Sequence, residues 1–277
     1  MDTLGNGPAS AWLTSWFEIA YPVITAVSLA MSRCLGMVFI SPVFNRLGMT
    51  GLLRSAMALV FALPAVPMLL PVIMTDAPQF SIQFVGMLIV EMLIGMVIGA
   101  IYGIPVWAAE AAGEMIDLQR GSTMSQLLDP LSATESSVTA TLFSIVILAL
   151  FFLSGGLSVL LKGVYESYAV WPVGKLYPVF QDGMGTVLLS LLDRTMELAV
   201  RMVAPLMVAI LVVDLLLAYL SRMAPSLHVF DLSMPVKNML FAILIVLYVS
   251  FLLSDMQGAL LNPFDLSDWV DATAGQD

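Results

Sequence analysis

Six apolar stretches run through the chain, at about residues 16–40, 56–74, 82–109, 138–161, 198–220 and 236–254. Each is close to or above the roughly 20 residues that a helix needs to cross a bilayer core. The pattern predicts an all-α protein, polytopic by hydropathy, with about six apolar helices. Pro64, Pro67 and Pro71 fall inside the second run. Each proline removes a backbone donor and crowds the preceding turn, so that helix is expected to kink or break. Pro205 predicts a bend in the fifth run, and Ser154-Gly155-Gly156 predicts one in the fourth.

Composition agrees with this pattern. Of the 277 residues 60% are hydrophobic and 11% charged, whereas a soluble domain keeps about a quarter of its residues charged. Too little polar material is present to cover a surface facing water. The net charge of −10 disfavours nucleic acid as a partner. Four aspartates lie in the tail 262–277, "NPFDLSDWVDATAGQD". With one cysteine, Cys34, and one histidine, His228, the chain alone can build neither an intrachain disulfide nor a Cys/His zinc site. No cofactor is expected. The opening "MDTLGNGPAS" has no basic residue ahead of the apolar run and does not read as a cleavable signal peptide. Loop charges leave the orientation unset: Arg46, Arg54, Arg120, Arg222 and Lys237 stand against Lys162, Lys175 and Arg194. Either the fourth link is long enough to escape the rule, or some runs do not span the bilayer.

Charged and small residues inside the apolar runs carry the remaining information. Glu91, Gly95, Gly99 and Gly103 recur every four residues, a smooth helical stripe along which another backbone can approach. Glu91 must then be buried against a partner or neutralised, and helix packing outweighs an ion site. Residues 110–137, "EAAGEMIDLQRGSTMSQLLDPLSATESS", place Glu110, Glu114 and Asp117 on one helix face, after which Gly113 and Gly121 are expected to interrupt the helix. Two readings stay open for this segment, a solvated connector and a loop lining an aqueous path. Ser154 lacks the surroundings of a hydrolase nucleophile. Tyr165, Tyr168, Trp171 and Tyr177 read as a membrane–water interface. Arg201 follows Glu197 by four residues, a favourable helical pair, whereas Asp214 lies too far along the helix to reach Arg201.

The link 221–240, "SRMAPSLHVFDLSMPVKNML", resembles the signature of the FliR/SctT family, export-gate subunits of flagellar and virulence type III secretion systems. Arg222, Pro225, Phe230, Met234, Pro235 and Lys237 carry the likeness. Further matches follow in order: Arg33, Gly36, Pro42, Phe44 and Arg54; then Gly113, Asp117, Gln119, Gly121, Asp129 and Pro130; then "FFLSGGLSVLL" with Ser167 and Pro172. "SYAVWPVGKLYP" is more similar to the injectisome branch than to the flagellar one. Where many relatives carry a histidine after the glycines, this chain has Leu157.

The resemblance implies one export-gate domain over residues 1–277 that does no chemistry. Its kinked helical hairpins would pack with several copies of two small SctR-like and SctS-like subunits into a helical funnel. An autocleaving SctU-like switch subunit and a large SctV-like subunit complete the expected partners, with unfolded secreted proteins in transit. The family's central loop implies a plug at Gly113, Glu114, Met115, Ile116, Asp117, Leu118, Gln119, Arg120 and Gly121. It also implies inter-subunit contacts at Arg33, Arg54, Arg201, Asp214, Arg222, Pro225, Phe230, Asp231, Pro235 and Lys237, with Pro225 and Pro235 breaking the backbone between two helices. A gate standing largely above the inner-membrane plane would account for the unset orientation. From a different class, an ion-coupled transporter would use Glu91, Glu110 or Asp214, but related halves are not evident.

Overall fold

The computed structural model describes residues 8–75, 81–121, 137–173, 184–224 and 229–261, and every regular element among them is a helix. In chain order these are α1 (Pro8–Ile40), α2 (Pro42–Arg46), α3 (Gly51–Ala62), α4 (Val66–Thr75), α5 (Ile82–Arg120), α6 (Val138–Leu153), α7 (Gly156–Val170), α8 (Met184–Met223) and α9 (Val229–Leu261). Among the described residues five helical segments are long and apolar enough to cross a membrane, or six if α6 and α7 form one span. That is the all-α, polytopic architecture the hydropathy predicts.

Local chemistry sets the boundaries. The expected break in the second run falls at Leu63–Ala65, a 3-10 turn around Pro64 that separates α3 from α4. The fourth run divides between α6 and α7, where Gly155 adopts φ +79°, a left-handed conformation that glycine reaches without strain. Helix α6 begins at the Ser137 cap, whose hydroxyl accepts from the Ala140 N–H at 3.0 Å. Helix α5 ends at Gly121, with φ +77°, the common glycine stop after a helix.

Two expectations are corrected. Residues 110–120 are not loop but the last turns of α5, and Gly113 does not interrupt them. Glycine costs about 1 kcal/mol relative to alanine inside a helix. The flanking "AAEAAGEMIDLQR" is rich in strong helix formers, and Gly113 gains a packing contact described below. Similarly, Pro235 lies inside α9 rather than breaking the chain before it. Membrane-type helices tolerate an internal proline, and Pro22, Pro105 and Pro205 sit within α1, α5 and α8 in the same way.

The chain gathers into two compact units. The first contains α1 to α4, α5 as far as Tyr102, and α7 from Ser158. Its buried side chains include Leu29, Ala30, Met37, Phe61, Ile98 and Leu160, and the rings of Phe44 and Phe61 lie 5.9 Å apart. The second contains the rest of α5, with α6, α8 and α9. Ala112, Ile116, Phe143, Ile147, Met202 and Leu206 are buried in it.

Candidate functional site

In the second unit the end of α5 meets α6, α8 and α9. On the α6 side Gly113 is buried, and a Cβ there would overlap the backbone of Thr139 and Ala140. The two helices therefore touch through main chain. One turn on, the buried Asp117 carboxylate accepts from Ser137 Oγ at 2.5 Å, Thr139 Oγ1 at 2.6 Å and the Thr139 N–H at 3.1 Å. It thereby serves the N-terminus of α6, where backbone donors lack helical partners and negative charge is favoured. Arg120 pairs with Asp117, donates to Thr139 Oγ1 at 2.8 Å and lays its guanidinium 4.0 Å from the centre of the Phe241 ring. Glu110, half-buried, accepts from Ser144 Oγ at 2.8 Å.

On the other side Gln119 Nε2 donates to the Met207 carbonyl at 2.9 Å. Lys237 Nζ donates to the main-chain carbonyl of Gln119 at 3.2 Å and pairs with Asp214 at 2.5 Å. Gly121 faces the Met234 methyl, with room for a Cβ at 3.6 Å. Ile116 is buried and Met115 half-buried, while Glu114 and Leu118 are exposed. The three acids do not form one solvated face: Asp117 is enclosed, and Glu114 alone is fully open.

The first unit holds a different polar centre. Arg33 has no exposed surface, so it is enclosed by its own chain and not available as the expected inter-subunit contact. Its Nε donates to Glu91 Oε2 at 2.7 Å, Nη1 to Ser167 Oγ at 2.8 Å and Nη2 to the Trp171 carbonyl at 3.0 Å. The Tyr168 ring lies against the guanidinium, 3.9 Å from its centre. Around this centre α1 and α5 meet through their backbones. A Cβ on Gly36 would overlap the Met92 carbonyl, and one on Gly95 the Arg33 carbonyl. A Cβ on Gly99 would lie 2.5 Å from Ile40 Cγ2 and 2.6 Å from the Met37 carbonyl oxygen. The stripe from Glu91 to Gly99 thus serves a helix of the same chain.

Other sequence candidates are scattered. Arg201, largely exposed on α8, pairs with Asp255 of α9 at 3.3 Å. Both line a cleft of about 440 Å³ with Arg194, Phe251, Ser254 and Gly258. Arg54 is half-buried on α3, Arg222 is exposed at the end of α8, and Gly103 is buried on α5. Pro225 lies outside the described residues, as do the side chains of Phe230 and Asp231. Ser137, Thr139 and Asp255 belong to these sites without standing out as candidates in the sequence. A serine opening an apolar run is a legible cap signal, and Asp255 is a lone acid just past the sixth run; both are visible in the sequence, and their partners are not.

These features define a multi-pass helical membrane protein whose charges join helices to one another. The chain belongs to the bacterial export proteins, family 1, whose sequence profile matches residues 24–262. It is 32% identical over 252 residues to the Yop proteins translocation protein T of Yersinia pestis, covering 89% of this chain and 94% of that protein. It is 30% identical over 233 residues to the secretion system apparatus protein SsaT of Salmonella typhimurium, covering 82% of this chain and 87% of that protein. Against the flagellar biosynthetic protein FliR of Bacillus subtilis the identity is 29% over 162 residues, covering 58% and 62%.

Proposed function

We propose that the chain is a structural and conduit subunit of the inner-membrane export gate of a type III protein secretion system, one that helps form and close the channel for unfolded substrates. It is a multi-pass inner-membrane protein of the export apparatus, and by identity it stands nearer the injectisome relatives than the flagellar ones. The observation that carries this is the family match, which runs through residues 24–262. Polar geometry supports it against ion-coupled transport. Glu91, Glu110 and Asp214, the acids a coupling site would need, are engaged by Arg33, Ser144 and Lys237.

The chain does no chemistry on its cargo and assembles with other export-gate subunits. Two small SctR-like and SctS-like subunits would cover its exposed helices, next to SctU-like and SctV-like components. The α5 end, residues 113–121, is the closing segment, held in place by the contacts around Asp117 and Lys237. The experiment is deletion of the gene followed by complementation. Export of secreted proteins should stop and then return, and the tagged chain should copurify with the small gate subunits. Export that continues without the chain would overturn this function.

A further inference from the structure

Two ion pairs fix how α8 and α9 run. Arg201 meets Asp255 and Asp214 meets Lys237, so numbers rise along one helix as they fall along the other, and the helices are antiparallel. The start of the apolar run 198–220 therefore lies level with the end of the run 236–254. At that level the two helices leave a cleft of about 440 Å³, within the roughly 300–1,000 Å³ of small-molecule sites. Every residue lining it belongs to the second unit.

The lining divides by chemistry. Arg194, Arg201 and Ser254 supply donors, and Leu198 and Phe251 supply an apolar wall. Both arginines are exposed. Asp255, the one carboxylate of the lining, is mostly enclosed and already paired with Arg201. Glu197, which meets Arg194 at 3.4 Å, is exposed and does not line the cleft. The lining thus carries one cation in excess. A guanidinium has five donors in a planar fork that suits phosphate, and single contacts with Asp255 and Glu197 leave most of them unspent. Gly258 keeps the cleft open, since nothing lies within 4 Å of a Cβ there. Toward the middle of the apolar runs the same helix faces continue through Val208 and Val212 on α8 and Leu247 and Ile243 on α9, all four exposed.

We propose that this cleft binds an anionic phospholipid, with its phosphate between Arg194 and Arg201 and its acyl chains along Phe251, Leu247 and Val208. Phosphate-binding groups stand at the edge of the apolar zone and bare apolar surface continues from them, the arrangement by which basic pockets between membrane helices take anionic headgroups. The site depends on the chain's place in the membrane and not on its role in the gate.

The test uses the full chain in detergent, alone and copurified with the small gate subunits. The probes are phosphatidylglycerol and phosphatidylcholine of equal, short chain length. Native mass measurement reads bound lipid, and thermal unfolding reads stability. Arg194→Gln removes one guanidinium, and Gly258→Leu fills the cleft without changing its charge; both keep the Arg201–Asp255 pair. Lys162→Met, at an exposed pair with Glu166 in the first unit, serves as control. Wild type and control should hold phosphatidylglycerol in preference to phosphatidylcholine. Arg194→Gln should weaken phosphatidylglycerol binding about fivefold, the effect of one basic residue near an anionic membrane surface, and Gly258→Leu should abolish the preference. Equal retention of both lipids by wild type, or an unchanged preference in both variants, would overturn the site. Inorganic phosphate that displaces phosphatidylglycerol would overturn it in favour of a free anion. Loss of the lipid when the small subunits bind would give the cleft to a partner helix instead. Two variants that no longer unfold cooperatively would also overturn it, making Arg194 and Gly258 fixed parts of the fold.

Discussion

Arg33 is a cation with no exposed surface, and its three donor nitrogens are spent on Glu91, Ser167 and Trp171. A buried ion pair of this kind gives little net stability over an apolar pair, yet removing one partner leaves the other charge stranded. Arg33→Met should therefore cost about 3–5 kcal/mol, and Arg33→Leu combined with Glu91→Leu should cost less than that single change. Thermal unfolding of the detergent-solubilised complex measures both. A double variant no more stable than Arg33→Met would show that hydrogen bonds to Ser167 and Trp171, rather than charge balance, carry the centre. From sequence, Glu91 had to be buried against a partner or neutralised. Which partner it would meet was hidden, because 58 residues separate it from Arg33.

Helices α1 and α5 are joined by glycine more than by charge. Gly36 and Gly95 each occupy a place where a Cβ would overlap a carbonyl of the facing helix. Gly36→Leu or Gly95→Leu should thus abolish the fold of the first unit, at a cost well above the roughly 1–3 kcal/mol of ordinary overpacking. Limited proteolysis would show it as loss of protection from α1 to α5, and a protected variant would mean that the helices can separate without harm. Gly99→Leu belongs to the same class and should fail in the chain's own fold before any partner is met. Gly258 in α9 has nothing within 4 Å of a Cβ. Gly258→Ala should stabilise the chain by up to about 1 kcal/mol, the helix-propensity gain. If a partner backbone seats in the cleft there, the same change should weaken assembly, and comparing melting with complex recovery separates the two effects.

Taken as a whole, the two units differ in what they leave uncovered. Only 17% of the apolar window is buried in each of α8 and α9 of the second unit, against 50% in α1 and 33% in α3 with α4 of the first. Leu215, Leu216, Tyr219, Met239, Val246 and Leu247 are among the residues left exposed. Apolar area of this extent must meet lipid or protein. The chain produced alone should aggregate or stay dispersed only in detergent, and coexpression with the small gate subunits should yield a complex of defined mass. Cysteines placed at Leu216 and Val246 should lose reactivity toward a water-soluble thiol reagent when those subunits are present. Unchanged reactivity, or a well-behaved monomer indifferent to them, would remove α8 and α9 as the assembly surface.

The apolar runs, the breaks at Pro64 and Gly155, and the family were legible in the order of residues alone. Each follows from local composition or from short ordered motifs, and hydrophobic length needs no knowledge of neighbours. It also showed that Glu91 had to meet a partner or be neutralised, and that Asp214 had to find a partner other than Arg201 or lie outside the hydrocarbon, since an ionised group within an apolar helix is costly alone. Who those partners are follows only from the packing of the helices. Arg33 closes on Glu91 and Lys237 on Asp214, pairings set by which helix faces pack together. The same holds for the end of α5. Gly113 and Gly121 read alike as breakers, but only Gly121 ends the helix. At Gly113 the missing side chain admits the backbone of α6, and contact with that separate helix outweighs a local preference of about 1 kcal/mol.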